Sequence, residues 1–242
     1  MKLSYAILLF LFFGCTQNNT LKVATSSNMQ FAMTEIVANY EKEKGIKVDL
    51  ILGSSGNLTS QIEHGAPFDV FVSADVKYPK YLYQKGFSNQ VPKVYAVGQL
   101  VLWSLKIKDL TEEEPLLQQV QKIAIANPKI APYGEASIAW LKNKGLYNLV
   151  QSKLVYGESV SQCNQFVSTR AVEVGITSFA VVKALKEDSK GYWKLLDKTK
   201  YPPILQGAIL INSENKTASD FYRFLFSKKA QGILSKYGYL GY

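Results

Sequence analysis

Sulfur, imidazole and guanidinium are scarce in this chain of 242 residues, which has two cysteines, one histidine and two arginines. Cys15 lies at the end of an N-terminal leader pattern, so Cys163 is left without an intramolecular disulfide partner. Cys163 falls in a stretch with helical spacing from Val160 to Thr169, where a small buried or half-buried thiol is expected. His64 stands alone, with no cluster of Cys or carboxylate at ligand spacing, and gives a zinc site no support. Lying between Glu63 and Gly65 at a helix end, it is explained by the helix dipole. With only Arg170 and Arg223, the chain has no arginine-rich segment, and its lysines are scattered among acids (Lys42, Lys44, Lys142, Lys144, Lys228, Lys229). The 28 basic and 19 acidic residues give a net charge of +9, which reads as a solvated basic surface, with no nucleic acid as partner. Also missing are the Gly-x-Ser-x-Gly, Walker A and His-Glu-x-x-His patterns. A secreted hydrolase built on a Ser and His64 would lack an orienting group for the imidazole. The chain is therefore read as a binding protein and not an enzyme.

The long apolar run of a membrane span, about 20 residues, is lacking too. The run from Leu3 to Phe13, behind Lys2, has the length of a signal-peptide core. It ends in Phe12-Phe13-Gly14-Cys15, which resembles a bacterial lipobox with Phe12 where Leu is usual. Residues 1–14 are read as a signal peptide and Cys15 as the lipidated residue. Residues 15–20 form a polar tether, which implies an extracytoplasmic, lipid-anchored protein. Beyond it, 47% hydrophobic and 19% charged residues describe an ordinary globular chain, long enough for one large domain or two lobes.

What the chain does have is a repeated local pattern. Leu21 to Ala24 reads as a strand ending in Ser26-Ser27-Asn28, with helical spacing through Met29, Met33, Ile36, Val37 and Tyr40 behind it. Ile46 to Leu52 alternates into a second strand, Gly53-Ser54-Ser55-Gly56 follows, and a short helix carries Leu58 and Ile62. Phe68 to Ala74 has the content of a buried strand. This β-α-β-α-β order implies a parallel α/β sheet with both helix starts at one edge. A helix start exposes unpaired N–H groups and about half a positive charge, so it can hold an oxyanion without Lys or Arg. Ser27, Asn28 and Ser55 could also be plain N-caps. Asp69 is given a structural hydrogen-bonding role and Asp75 a cap on the next helix.

Further along, one long strand is expected from Val97 to Leu105 and another from Lys122 to Ala126. The loop Asn127-Pro128-Lys129-Ile130-Ala131-Pro132-Tyr133-Gly134 follows, feeding a helix from about Glu135. After a short strand from Lys153 to Tyr156, a helix begins near Val160. Val172 to Thr177 is a strand with Ser178 at its end. Charged and polar residues fill Glu187 to Lys200, Gln206 to Ile211 is a late strand, and two amphipathic helices close the chain.

Taken together, Ser26-Ser27-Asn28, Gly53-Ser54-Ser55-Gly56, Gly65-Ala66-Pro67-Phe68-Asp69 running on to Asp75, Asn127 to Gly134 and the ending Tyr237-Gly238-Tyr239 resemble the molybdate-binding proteins of bacterial ABC importers. The resemblance covers Leu21 to the C-terminus. It implies a type II periplasmic-binding fold: two α/β lobes, each a mainly parallel sheet flanked by helices, with the ligand in the cleft between them. Lobe 1 would be 21–98 and 205–242, and lobe 2 would be 99–204. Carried onto matching positions, Ser27, Asn28 and Ser55 would face the anion from lobe 1, and the backbone N–H groups of Tyr133 and Val160 from lobe 2. Ser178 stands where enterobacterial members have a ligand-contacting Tyr. No cofactor is implied; the ligand would be molybdate or tungstate, the partner an ABC permease and the protein a monomer, with sulfate or another small oxyanion as the alternative ligand. All of the named groups can donate and none is a carboxylate, which disfavours hydrogen phosphate. Ser55→Ala is expected to weaken anion binding at little cost to the fold.

Overall fold

The computed structural model describes residues 20–242; the leader, Cys15 and the tether as far as Asn19 lie outside the described residues. From its start the chain runs β1 (Leu21–Ser26), α1 (Gln30–Lys44), β2 (Val48–Gly53), α2 (Ser55–Glu63), β3 (Val70–Val72), α3 (Lys77–Gln84) and β4 (Lys93–Gly98). It continues through β5 (Leu100–Ser104), α4 (Glu113–Gln119), β6 (Ile123–Ala126), α5 (Pro132–Asn143), α6 (Tyr147–Val150), β7 (Leu154–Gly157), α7 (Val160–Ser168), β8 (Val174–Ser178) and α8 (Phe179–Ala184). It ends with α9 (Glu187–Lys190), β9 (Tyr192–Leu195), β10 (Ile204–Leu210), α10 (Lys216–Leu225) and α11 (Lys228–Lys236).

These strands form two five-stranded sheets, β2-β1-β3-β10-β4 and β7-β6-β8-β5-β9. Both follow one pairing pattern. In the first, β1 runs parallel to β2 and β3, and β10 pairs antiparallel with β3 and β4. In the second, β6 runs parallel to β7 and β8, and β5 pairs antiparallel with β8 and β9. The sheets are therefore mixed where mainly parallel ones were expected. The parallel half of each comes from βαβ crossovers, and the antiparallel half from strands that return from the other sheet.

Two features of that return were not foreseen. The single strand expected over Val97–Leu105 is two strands, β4 in the first sheet and β5 in the second, divided at Gln99. Gln99 Nε2 donates to Gly238 O at 2.8 Å, and Val97 and Leu240 exchange backbone bonds of 2.9 Å on one side of the division. Leu100 N–H donates to Tyr201 Oη on the other. Apolar content is equally high on both sides of Gln99, so composition alone does not reveal the change of sheet. The polar stretch Glu187–Lys200 contains β9, which pairs with β5 at the edge of the second sheet. Its apolar residues stay about two-fifths exposed, as on an edge, with Trp193 at 40% and Leu195 at 40%.

Local chemistry explains the helix ends that matter. Pro132 is at the first position of α5, where its missing N–H costs nothing, so the helix starts at Pro132 and takes in Tyr133, where a loop was expected. Ser54, and not Ser55, caps α2, its Oγ accepting Asn57 N–H at 3.4 Å. Ser27, Asn28 and Met29 form a short 3-10 turn ahead of α1 rather than a side-chain cap. Asp75 accepts Tyr78 N–H at 3.1 Å at the start of α3. Asp69 accepts Lys22 N–H at 2.8 Å and both Asn212 and Asn215 side chains. His64 ends α2 with Nδ1 2.7 Å from Ser60 O.

Gly134 sets how closely α5 approaches the second sheet, because a Cβ there would strike the backbone carbonyl of Ala126 at the end of β6. No rotamer change can relieve a clash with backbone. Gly134→Ala should therefore cost about 1–3 kcal/mol, lowering the calorimetric midpoint by roughly 3–10 °C. An unchanged midpoint would refute this close approach.

Candidate ligand-binding site

The strand register decides where the helix starts meet. In the first sheet Ser26 pairs with Gly53, so β1 and β2 end at the same level. In the second, Ala126 pairs with Gly157, and β6 and β7 end together. Within a few residues of each strand end a helix or its preceding turn opens, at Ser27, Ser55, Pro132 and Val160. Two starts from each sheet thus face one cleft.

Direct bonds join its two walls. Ser161 N–H, in the first turn of α7, donates to Ser27 Oγ at 3.4 Å, and Ser161 Oγ donates to Gln30 Oε1 at 3.4 Å. On the other flank Gly56 N–H donates to Ile130 O at 2.9 Å, and Tyr78 Oη to Lys129 O at 3.4 Å. The Lys77 ammonium and Glu135 carboxylate, one on each wall, are 4.0 Å apart. The first bond sets Val160 beside Ser27, and the third sets α2 against the segment that leads into Tyr133.

Each residue expected at the site is buried: Ser27, Asn28, Ser55, Tyr133, Val160 and Ser178 are all at most 3% exposed. Asn28 is fixed from behind, its Nδ2 donating to Gln206 Oε1 at 2.8 Å and to Tyr239 Oη at 2.9 Å. Tyr239 Oη in turn donates to Asn28 O at 2.8 Å. Gln206 completes this floor by donating to Ala74 O and Ile204 O, each at 3.1 Å. Tyr133 reaches the same floor from the other wall, where a Cβ on Gly98 would collide with Tyr133 Oη. Burial raises the Tyr133 phenol above the ordinary tyrosine range, and Ser178, Asn28 and Tyr239 face it. None of these three approaches to Tyr133 has hydrogen-bonding geometry: Tyr133 Oη, Ser178 Oγ and Asn28 Oδ1 are all buried without a partner.

Ser55 is more deeply engaged than its sequence context suggests. Its Oγ accepts Ala74 N–H at 3.0 Å and shares a hydrogen bond with Ser26 Oγ at 3.2 Å. Removing it strands a buried N–H, so the expected small cost to the fold is corrected to a sizeable one. Ser26, Gln206, Tyr239 and Gly98 were not singled out as site residues. Of these, Ser26 and Tyr239 carry a signal, through the Ser-Ser-Asn motif and the Tyr-Gly-Tyr ending.

Electrostatically the cleft relies on backbone. Among the described residues no Lys or Arg is buried, and Asp69 is the one buried charged side chain. Among the described residues there is also no group of three His, Cys, Asp or Glu able to hold a metal ion. The Cys163 thiol lies in α7, buried, and burial pushes its pKa up to about 12, which leaves it an inert packing group. What remains at the helix starts is mainly N–H and O–H donors, beside the unpartnered acceptor Asn28 Oδ1, and the donors suit a small anion with several acceptor oxygens.

Known proteins fit this geometry. The chain is 36% identical over 225 residues to the molybdate-binding protein ModA of Azotobacter vinelandii, covering 90% of this chain and 89% of that protein. It is 35% identical over 223 residues to the molybdate-binding protein ModA of Rhodobacter capsulatus, covering 90% and 86%. The solved periplasmic molybdate-binding protein of Azotobacter vinelandii superposes with a TM-score of 0.85 at 33% identity, over 91% of this chain and 98% of that one. The sulfate-binding protein SubI of Mycobacterium tuberculosis, at 13% identity and a TM-score of 0.72, shares the fold. Residues 21–240 match the model of one family, and the chain belongs to it: the bacterial extracellular solute-binding proteins.

Proposed function

We propose that this protein captures molybdate or tungstate outside the cytoplasm and delivers it to the permease of an ABC importer. The observation that carries the reading is the convergence of four helix starts, two from each sheet, on a cleft with no buried Lys or Arg among the described residues. The similarity to molybdate-binding proteins supports the choice of ligand.

In this reading lobe 1 is 21–98 with 205–242 and lobe 2 is 99–204, hinged where the chain crosses between sheets. Ser27 and Ser55 supply donors from lobe 1 together with Asn28, which offers its backbone N–H because both of its side-chain protons go to Gln206 and Tyr239; the N–H groups of Tyr133 and Val160 supply them from lobe 2. The Ser178 hydroxyl, with Tyr133 Oη beside it, stands at the base. Molybdate and tungstate are fully deprotonated near neutral pH and need donors only, which the cage offers. Hydrogen phosphate carries a proton that needs an acceptor, and a donor facing that O–H would be left unpaired. Binding needs no covalent step, so the protein acts as a carrier and not an enzyme. The bonds across the cleft, Ser161 to Ser27 and Gly56 to Ile130, are those that lobe closure makes, and the closed form is what the permease reads. The carrier works as a monomer, tethered to the membrane through lipid on Cys15.

Thermal unfolding of the purified protein tests the ligand. A ligand at a hundredfold excess over its dissociation constant adds about 2.7 kcal/mol, a rise of roughly 5–10 °C. Molybdate and tungstate should give it, sulfate at equal concentration little and phosphate none; a rise with phosphate alone would overturn the donor-only cage. Ser55→Ala should weaken molybdate binding and, because Ala74 N–H loses its acceptor, also remove about 1–3 kcal/mol of stability in urea without ligand. Unchanged affinity would reduce Ser55 to a structural role. In cells, Cys15→Ala should abolish incorporation of labelled palmitate and move the protein to the soluble fraction. Continued labelling would place the anchor elsewhere.

A further inference from the structure

Ser26 is a hydroxyl at a helix start that caps nothing. It ends β1 directly before the Ser27–Met29 turn, and its side chain makes no capping bond. It is 3% exposed, and its Oγ lies 3.2 Å from Ser55 Oγ across the β1–β2 pair. Ser55 is equally free of capping duty, since Ser54 caps α2, and Ser55 Oγ accepts Ala74 N–H at 3.0 Å. A serine hydroxyl has one proton and two lone pairs, and two hydroxyls can share a hydrogen bond in either direction.

We propose that Ser26 is a specificity-determining positioning residue, which fixes Ser55 as an obligate hydrogen-bond donor to the bound oxyanion. The proposal rests on the anion-binding reading above. With Ser26 donating to Ser55, one lone pair of Ser55 is filled by Ser26 and the other by Ala74 N–H. Its single proton then has nowhere to go but an anion oxygen. Hydrogen bonds in series polarise one another, which strengthens that last donor. The same arrangement denies Ser55 to a protonated oxyanion, because no lone pair is left to accept its O–H. Removing the Ser26 hydroxyl frees a lone pair on Ser55. The site should then lose affinity for molybdate and at the same time tolerate hydrogen phosphate.

A purely structural role for Ser26 would weaken both anions together, so the ratio between them is the informative readout. Calorimetric titration with molybdate, and phosphate competition against molybdate, near neutral pH supply it. Ser26→Ala should weaken molybdate about threefold to tenfold, the worth of one hydrogen bond, and narrow the molybdate-to-phosphate ratio by more than that factor. Ser26→Thr keeps the hydroxyl and should keep the ratio. Ser26→Cys, close in size with a weak donor, should narrow it and serves if the alanine variant does not fold. In a Ser55→Ala background, Ser26→Ala should leave the ratio where Ser55→Ala put it. Wild-type protein that binds molybdate, with an unchanged ratio in Ser26→Ala and Ser26→Cys or a change that persists without Ser55, would overturn this inference alone. Wild-type protein that binds neither molybdate nor tungstate would overturn the reading beneath it as well.

Discussion

The first N–H groups of a helix have no acceptor within it, and burying them demands one from elsewhere. Here the turn ahead of α1 and the starts of α2, α5 and α7 are turned toward one another under burial, where water cannot answer every donor. Each start adds about half a positive charge, and among the described residues no lysine or arginine is buried to compete with them. A small anion with acceptors on all sides would satisfy such a cage, and a cation would not. The same constraint explains why the residues at the strand ends are small. Ser, Gly and Asn let backbone N–H groups approach a ligand closely, and their side chains add donors without bulk.

The sheet topology makes the convergence possible. Parallel strands joined by right-handed crossovers put successive helix starts at one edge, and both sheets use that arrangement for β1 with β2 and β6 with β7. The antiparallel strands have a different task. β4 leads into β5 across Gln99, and the segment before β10 returns the chain, so two connections join the sheets. The C-terminal Leu240 clips to Val97 beside the first of them. Tyr239, one residue earlier, holds Asn28 in place. The end of the chain thus stiffens the floor of a site whose walls come from its beginning and its middle.

How much of this is legible in the sequence depends on how local the cause is. Ser26 to Asn28 and Gly53 to Gly56 announce themselves because strand, small polar residues and helical spacing lie within a few positions. The loop before Tyr133 is marked by two prolines, although Pro132 opens the helix instead of preceding it. The division at Gln99 is not legible, since an apolar residue is equally at home in either sheet. The same is true of β9, an edge strand whose exposed face lets polar and charged residues mask its alternation. The Ser26–Ser55 bond, the Gln206–Asn28 bond and the approach of Tyr133 to Gly98 need register or tertiary contact, which residue spacing does not encode. Even where Ser55 was singled out, its second partner, Ala74 N–H, lies nineteen residues away, and its structural cost was invisible for that reason.

Rigidity decides whether such a cage binds tightly. About six hydrogen bonds to a charged ligand, at roughly 1.5–3 kcal/mol each, give about 9–18 kcal/mol gross. Association removes about 4–15 kcal/mol of that. Little margin is left for ordering the donors at the moment of binding, so they must be ordered beforehand. Asn28 is braced by Gln206 and Tyr239, and Ser55 by Ala74 and Ser26. The contacts between the walls are fewer, Ser161 with Ser27 and Gly56 with Ile130 among them. Bonds that form only on closure add to affinity and must be surrendered on release. A carrier therefore cannot make them numerous, and the contacts across this cleft are few and short-range.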